Sequence, residues 1–356
     1  MTVVSAIILF GVLIFVHEFG HFSLAKLLGV KVLKFSLGFG PKLIGKKYGD
    51  TEYMISAIPL GGYVKMLGED TEEKLSVEEE KTAFNHQRPW KRALIVLAGP
   101  VCNVLFAAFI FWVLYMTGIP ALLATVGDVT KDSPAMKAGL MKGDAIVSIN
   151  GNPVRYWDDA SEIIHKSPDI RLAMKIQRAG RLFDIDITPE KKTVKDIFGE
   201  KREIGIIGIT PSGEIVKLRE GPVRSLNKAV LKTWEFSELT IISVVKLIER
   251  VIPASTLGGP ILILEMAGKQ AAQGALSFFI FMAVISINLG VLNILPIPIL
   301  DGGHILFITI EVLRRKPLSQ NTMEWAQKIG LILILGIIAL ATYNDIFRLI
   351  SGSRVP

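Results

Sequence analysis

Residues 3–21 read Val3-Val4-Ser5-Ala6-Ile7-Ile8-Leu9-Phe10-Gly11-Val12-Leu13-Ile14-Phe15-Val16-His17-Glu18-Phe19-Gly20-His21. Up to Val16 the stretch holds no charge and a single hydroxyl. On a helix, His17 and His21 project from one face, four residues apart, which is the spacing a zinc ion needs. Glu18 is then a carboxylate beside that metal, placed to take a proton from water. A five-residue pattern of this kind also arises by chance. Its apolar setting gives it weight, because two histidines and a glutamate have no cheap place in a lipid-facing helix. A shared metal is the economical explanation.

Composition points the same way. The chain has 356 residues, 50% of them hydrophobic, and a mean hydropathy of +0.46. That is too apolar for a typical soluble protein and predicts a membrane protein with a soluble portion. The net charge of +7 does not indicate nucleic-acid binding, since the basic residues form no aromatic-interleaved patch. They gather beside apolar segments, as topology signals do. The single cysteine, Cys102, allows no intramolecular disulfide and excludes a cysteine-based zinc site. The N-terminus lacks the basic region and cleavage site of a signal peptide, so residues 1–30 read as a retained first transmembrane helix carrying the metal motif.

Residues 31–67 alternate, carry β-branched and aromatic side chains, and are broken by Gly and Pro. They predict hairpin-forming strands, which at membrane depth must line a cavity or be buried in protein. An exposed edge there could pair with an extended peptide. Residues 68–91 are charged and predict a solvated loop containing a surface histidine, His86. The second apolar run, 92–120, contains Gly99-Pro100-Val101-Cys102-Asn103, which predicts close helix approach and a polar contact inside a bundle. Over 121–213 charge returns and short strands alternate with turns, enough for one soluble domain, with His165 structural or exposed. Residues 214–275 predict amphipathic helices at the interface.

The third apolar segment, 276–314, holds Asn288-Leu289-Gly290-Val291-Leu292-Asn293-Ile294-Leu295-Pro296-Ile297-Pro298-Ile299-Leu300-Asp301-Gly302-Gly303-His304. Its prolines break helix geometry and leave backbone groups needing partners. A zinc ion on two histidines lacks a third protein ligand; Asp301 is the natural candidate and His304 its competitor. A fourth span covers 327–351. Lys and Arg are dense between spans one and two and just after span three, which makes those loops cytoplasmic. Both termini and the 121–213 domain then lie on the extracytoplasmic side.

Taken together, these residues resemble the site-2 protease family of intramembrane zinc metalloproteases, in particular the bacterial regulator of sigma-E protease group. The match rests on His17-Glu18-x-x-His21, the Gly-Phe-Gly and Leu-Gly-Gly-Tyr-Val-Lys-Met hairpin region, Gly99-Pro100-x-x-Asn103, and Asn293-x-x-Pro296-x-Pro298-x-x-Asp301-Gly302. The fold this implies is a polytopic α-helical membrane protein of the bacterial inner membrane. It would have four transmembrane helices, a membrane-associated β-hairpin element and one soluble α+β PDZ-like domain.

The resemblance further implies Zn2+ held by His17, His21 and Asp301, with Glu18 as general base. A membrane-reentrant β element including Gly61, Gly62 and Tyr63 would present the substrate strand, and Asn293 would hold unwound substrate backbone. In the PDZ-like insert, Ile204, Gly205, Ile206, Ile207, Gly208 and Ile209 look like the ligand-binding strand and carboxylate loop. Substrates would be single-pass transmembrane proteins of the anti-sigma-factor type, trimmed first by a site-1-type protease, or signal-peptide remnants. The best-known members carry two tandem PDZ domains, whereas this chain has room for one. Two other classes fit less of the chain. A non-catalytic PDZ-containing membrane adaptor has no use for Glu18, and a cation transporter is disfavoured by four spans and a metalloprotease-type glutamate.

Overall fold

The computed structural model describes residues 2–69, 75–196 and 198–351. Residues 70–74 of the charged loop lie outside these. The described chain begins with α1 (Thr2–Leu27), the strands β1 (Val32–Tyr48) and β2 (Thr51–Met66), the single turn α2 (Val77–Glu80) and α3 (Pro89–Thr117). Then come β3 (Ile119–Leu122), β4 (Val126–Val129), α4 (Pro134–Lys137), β5 (Ala145–Ile149), β6 (Asn152–Pro153) and α5 (Trp157–His165). Six strands follow: β7 (Leu172–Arg178), β8 (Arg181–Ile187), β9 (Glu190–Lys195), β10 (Lys201–Ile206), β11 (Ile209–Pro211) and β12 (Ile215–Leu218). The last helices are α6 (Pro222–Ile248), α7 (Pro260–Gln273), α8 (Ala275–Asn293), α9 (Asp301–Arg314) and α10 (Gln320–Ser351). Leu114–Pro222 forms one compact unit, and the segments on either side of it form the other.

In the helical unit, α1, α3, α8 and α10 are each long and apolar enough to cross a membrane. Helix α1 buries Leu9 and Leu13 while exposing Val3, Val4 and Ile8, and α10 exposes Ile329, Ile332 and Leu335. Apolar side chains on both faces suit a helix with protein on one side and lipid on the other. Small residues let the helix backbones approach. A Cβ on Gly20 would lie 2.4 Å from the Ala98 carbonyl oxygen, and one on Gly290 would lie 2.8 Å from that of Pro100. Ser286 Oγ donates to the Asn103 carbonyl at 2.8 Å, so α8 and α3 are also joined by a buried hydrogen bond.

The apolar segment 276–314 is two helices. Helix α8 ends at Asn293 and α9 starts at Asp301, because Pro296 and Pro298 cannot continue an α-helical ladder. The intervening chain folds back over the start of α9, where a Cβ on Gly302 would lie 2.1 Å from the Ile294 carbonyl oxygen. Asp301 is thereby fixed at a helix N-terminus. Helix α6 buries Ser225, Ala229 and Thr233 and exposes Val230, Leu231, Trp234 and Ile241. Its exposed side mixes these large apolar residues with Arg224, Asn227, Glu235 and Glu238, an amphipathic pattern.

Strands β1 and β2 form a long antiparallel hairpin closed at Tyr48↔Thr51. The inner part of β1 pairs on both edges: Lys34 faces both Glu52 and Lys65, and Phe35 faces both Tyr53 and Val64. The C-terminal half of β2 has therefore doubled back across β1.

The Leu114–Pro222 unit has an antiparallel sheet in the order β6-β5-β7-β8, with β3/β12, β4/β11 and β9/β10 as further pairs. Strand β7 alternates cleanly, burying Leu172, Met174 and Ile176, as a half-buried strand must. Asp144 is fully buried and accepts from Arg178 Nε at 2.6 Å, Arg178 Nη2 at 2.7 Å and the Met141 amide at 2.8 Å. This bonding holds the Arg178 guanidinium pKa above its ordinary value. The stretch Ile204–Ile209, expected to hold a strand and a loop, is divided between two strand partners. Ile204, Gly205 and Ile206 pair with β9, whereas Ile209 pairs with Val129 of β4. Gly208, at φ +80°, turns the chain between the two partners, a conformation glycine adopts without strain.

Near the end of the helical unit a buried acid ties α10 to α7. Asp345 accepts from the Gly259 amide at 2.9 Å and the Leu262 amide at 3.0 Å, satisfying orphan donors at the start of α7. Arg348 Nη2 donates to the Ser255 carbonyl, and Asn344 donates to that of Ala254. Asp345→Ala strands those amides and leaves Arg348 without its counter-charge. A loss of about 2–4 kcal/mol is expected, with a smaller loss for Asp345→Asn, whose amide oxygen still accepts. Thermal unfolding in detergent measures both.

Candidate metal centre

His17 and His21 lie one turn apart on α1, and Asp301 enters from the first residue of α9. His17 Nε2 is 3.1 Å from Asp301 Oδ2 and His21 Nε2 is 3.5 Å from Asp301 Oδ1. The two Nε2 atoms are 3.2 Å apart. Ligands about 2.0–2.1 Å from a tetrahedral ion sit roughly 3.3–3.4 Å from one another. The three side chains thus offer one face of such a tetrahedron. Asp301 Oδ2 is buried and accepts no hydrogen bond, so the pocket holds an orphaned acceptor that a cation would satisfy. Among the described residues this is the one group of three such side chains close enough to share an ion.

Backbone geometry orients the ring of His21. Its Nδ1 lies 2.8 Å from the Ile95 carbonyl oxygen. A carbonyl only accepts, so Nδ1 carries the proton and Nε2 presents its lone pair to the centre. Helix α3 comes this close because Gly99 has no side chain: a Cβ there would lie 2.3 Å from His21 Nε2 and 2.9 Å from His17 Cε1. The next residue, Pro100, lies inside α3, lacks an N–H and loosens the ladder at this level.

Glu18 faces two spaces. It lines a cavity of about 1160 Å³ together with His17, His21, Asp301, His304 and Tyr63. It also lines a smaller cleft of about 240 Å³ with Ile14, Phe39, Gly62, Leu289 and Asn293. Glycine at 62 permits the close approach of β2, since a Cβ there would lie 2.8 Å from the Ser36 carbonyl oxygen and 3.3 Å from Glu18 Cγ.

The other expected site residues are distributed as follows. Asn293 Nδ2 lies 3.4 Å from His17 Nε2, directly beside the centre. Gly61 and Gly62 line the small cleft. Tyr63 stacks on Phe39 with ring centroids 6.3 Å apart. His304 lines the larger cavity but stands outside the ligand group. Ile204–Ile209 belong to the other unit. Sequence reasoning missed the pairing of Arg92 with Glu311 at 2.5 Å, which lines the larger cavity; the two stand 219 positions apart along the chain, so no local pattern signals it. It also missed the specific demand on Gly99, whose only signal was a Gly-Pro pair in an apolar run.

The model of peptidase family M50 matches residues 5–337. A Campylobacter jejuni protein named "Putative zinc metalloprotease" is 37% identical, with 97% of this chain and 93% of that one aligned. A Salmonella typhimurium protein named regulator of sigma-E protease is 32% identical, with 96% of this chain and 98% of that one aligned. That alignment runs over 448 positions against 356 residues here, so the relative holds segments this chain lacks. Among solved structures, the PDZ domain of an SdrC-like protein from Listeria monocytogenes is similar over 26% of this chain and 85% of that one. Its identity is 23% and its TM-score 0.19.

The contact at Gly99 yields a test. Gly99→Ala forces the imidazoles away from α3 and should weaken zinc retention by about 10–100-fold, the scale of other lost ligand-orienting contacts. Gly11→Ala, where a Cβ meets nothing within 4 Å, should leave retention unchanged. Zinc content after dialysis against graded chelator reads both.

Proposed function

The chain belongs to peptidase family M50, a family of zinc metallopeptidases, and we propose that it hydrolyses peptide bonds inside the transmembrane segments of single-pass membrane proteins. The observation that carries this reading is the convergence of His17, His21 and Asp301 within a unit whose long helices are built to cross a membrane. In it these three residues hold the zinc and Glu18 is the general base. Zinc, when bound, supplies Lewis acidity, polarising a carbonyl and lowering the pKa of water towards about 7.

Glu18 touches both the large cavity and the small cleft. Water reaches it from the first and substrate from the second. Its carboxylate takes a proton from the attacking water and returns it to the leaving amine as the C–N bond breaks. A helical substrate hides its carbonyls, so it must unwind before attack. The outer edge of β2 around Gly62 and Tyr63 then pairs with the extended segment. Asn293, beside His17, donates to a freed carbonyl, offsetting backbone hydrogen bonds lost on unwinding.

The natural substrates in this reading are membrane-anchored anti-sigma factors shortened by an upstream site-1-type protease, or signal-peptide remnants. This follows from likeness to relatives named regulator of sigma-E protease. In this reading the catalytic end lies on the cytoplasmic side of a bacterial inner membrane and the Leu114–Pro222 unit on the other, which the lysines and arginines between spans one and two and after span three support. That unit serves as a single PDZ-like module, with the chain around Gly205 and Gly208 receiving a peptide end.

The test uses the purified full chain and a tagged single-pass substrate. Wild type should cut within the apolar segment, and Glu18→Gln should retain zinc but lose cleavage by at least about 100-fold, the scale of general acid–base catalysis. A chelator should abolish the wild-type activity, and added zinc should restore it. Glu18→Gln cutting at the wild-type rate would overturn the assignment of the base, and cleavage confined to soluble loops would overturn the intramembrane reading.

A further inference from the structure

Ring orientation at His17 demands a partner that the ligand set does not supply. His17 Nε2 faces Asp301 and His21 Nε2, so the lone pair a metal requires is on Nε2. A neutral imidazole then carries its proton on Nδ1, which must donate to something. In His21 the Ile95 carbonyl fills that role. In His17 the neighbouring group is the carboxamide of Asn103, whose Nδ2 lies 3.4 Å from His17 Nδ1. With that orientation two donors would meet. Meanwhile Asn103 Oδ1 is buried with no hydrogen-bond partner. Asn103 is only 1% exposed, so bulk water cannot satisfy either end.

One rotation relieves the conflict. A half-turn about the Cβ–Cγ bond exchanges the two ends of a carboxamide within nearly the same volume. We infer that, in the metal-loaded protein, the Asn103 side-chain oxygen accepts from His17 Nδ1–H, which makes Asn103 a positioning residue for the metal ligand His17. The residue is well anchored for this task. Its own carbonyl is held by Ser286 Oγ at 2.8 Å, and it follows Pro100, where α3 opens towards the histidines. Each histidine then takes its tautomer from α3, one from a backbone oxygen and the other from a side-chain oxygen. This arrangement fixes ring orientation and raises the basicity of the ligating nitrogen.

The inference rests on zinc binding at His17, His21 and Asp301, and its test separates the two. Zinc affinity of the full chain is measured by competition with a chromogenic chelator, without reference to proteolysis. Wild type binding no zinc would remove the reading of the centre itself. With wild-type binding established, Asn103→Leu, close in shape but unable to accept, should bind zinc about 10–100-fold more weakly. Asn103→Asp keeps an acceptor and has no N–H, and should stay within a few-fold of wild type. Asn103→Leu binding like wild type, or Asn103→Asp losing as much as Asn103→Leu, would overturn the inference. A measurement on the unmodified sequence covers variants that fail to fold. In zinc-loaded, 15N-histidine-labelled protein, both His17 and His21 should show protonated Nδ1 with slow solvent exchange. An unprotonated or rapidly exchanging His17 Nδ1 would overturn it.

Discussion

Two imidazole nitrogens 3.2 Å apart, each within 3.5 Å of one of the two oxygens of a carboxylate, among helices rich in apolar side chains, set the terms for their surroundings. Unsatisfied polar and ionised groups are costly in such a setting. The helices that surround them must therefore come close enough to supply oxygen acceptors while leaving room for the rings. Gly20, Gly99 and Gly290 meet the first need by giving up their side chains. The break after α8 meets the second, because a continuous helix through residues 294–300 would not present Asp301 at a helix start. Packing in this bundle thus serves the polar centre as much as it serves apolar contact.

Much of this was legible in the chain. His17 and His21 announced themselves by their spacing in an uncharged run, and Asp301 by standing as an acid beside two prolines in another. The strands over 31–67 were readable because alternation and turn glycines survive in a local window. What stayed hidden depended on distant partners. Nothing around Arg92 predicts Glu311. Asp345 lies in the stretch read as the fourth span, and nothing around it predicts that it is buried against the start of another helix. The partners of the Ile204–Ile209 stretch could not be read from its uniformly apolar composition. Only the positive φ at Gly208, which composition does not encode, divides it between two partners.

The two units also illustrate two ways of placing an acid in an interior. Asp144 is buried with a guanidinium and a backbone amide directed at it, so its charge is answered by protein alone. Asp301 Oδ2 receives no hydrogen bond, and its neighbours are nitrogens that share its need for a cation. The difference separates a carboxylate satisfied by protein from one that a cation would satisfy, without recourse to motif.

Separation along the chain has a consequence for synthesis. His21 and Asp301 are 280 residues apart (301 − 21). At roughly 5–20 residues per second, a ribosome that has made the first two ligands needs about 15–60 s to deliver the third. Throughout that interval the nascent chain offers a two-ligand site, which holds a metal weakly. Glu18 is made together with the two histidines, whereas Asp301 follows only after the whole Leu114–Pro222 unit. The candidate metal centre therefore cannot close until that unit has been synthesised.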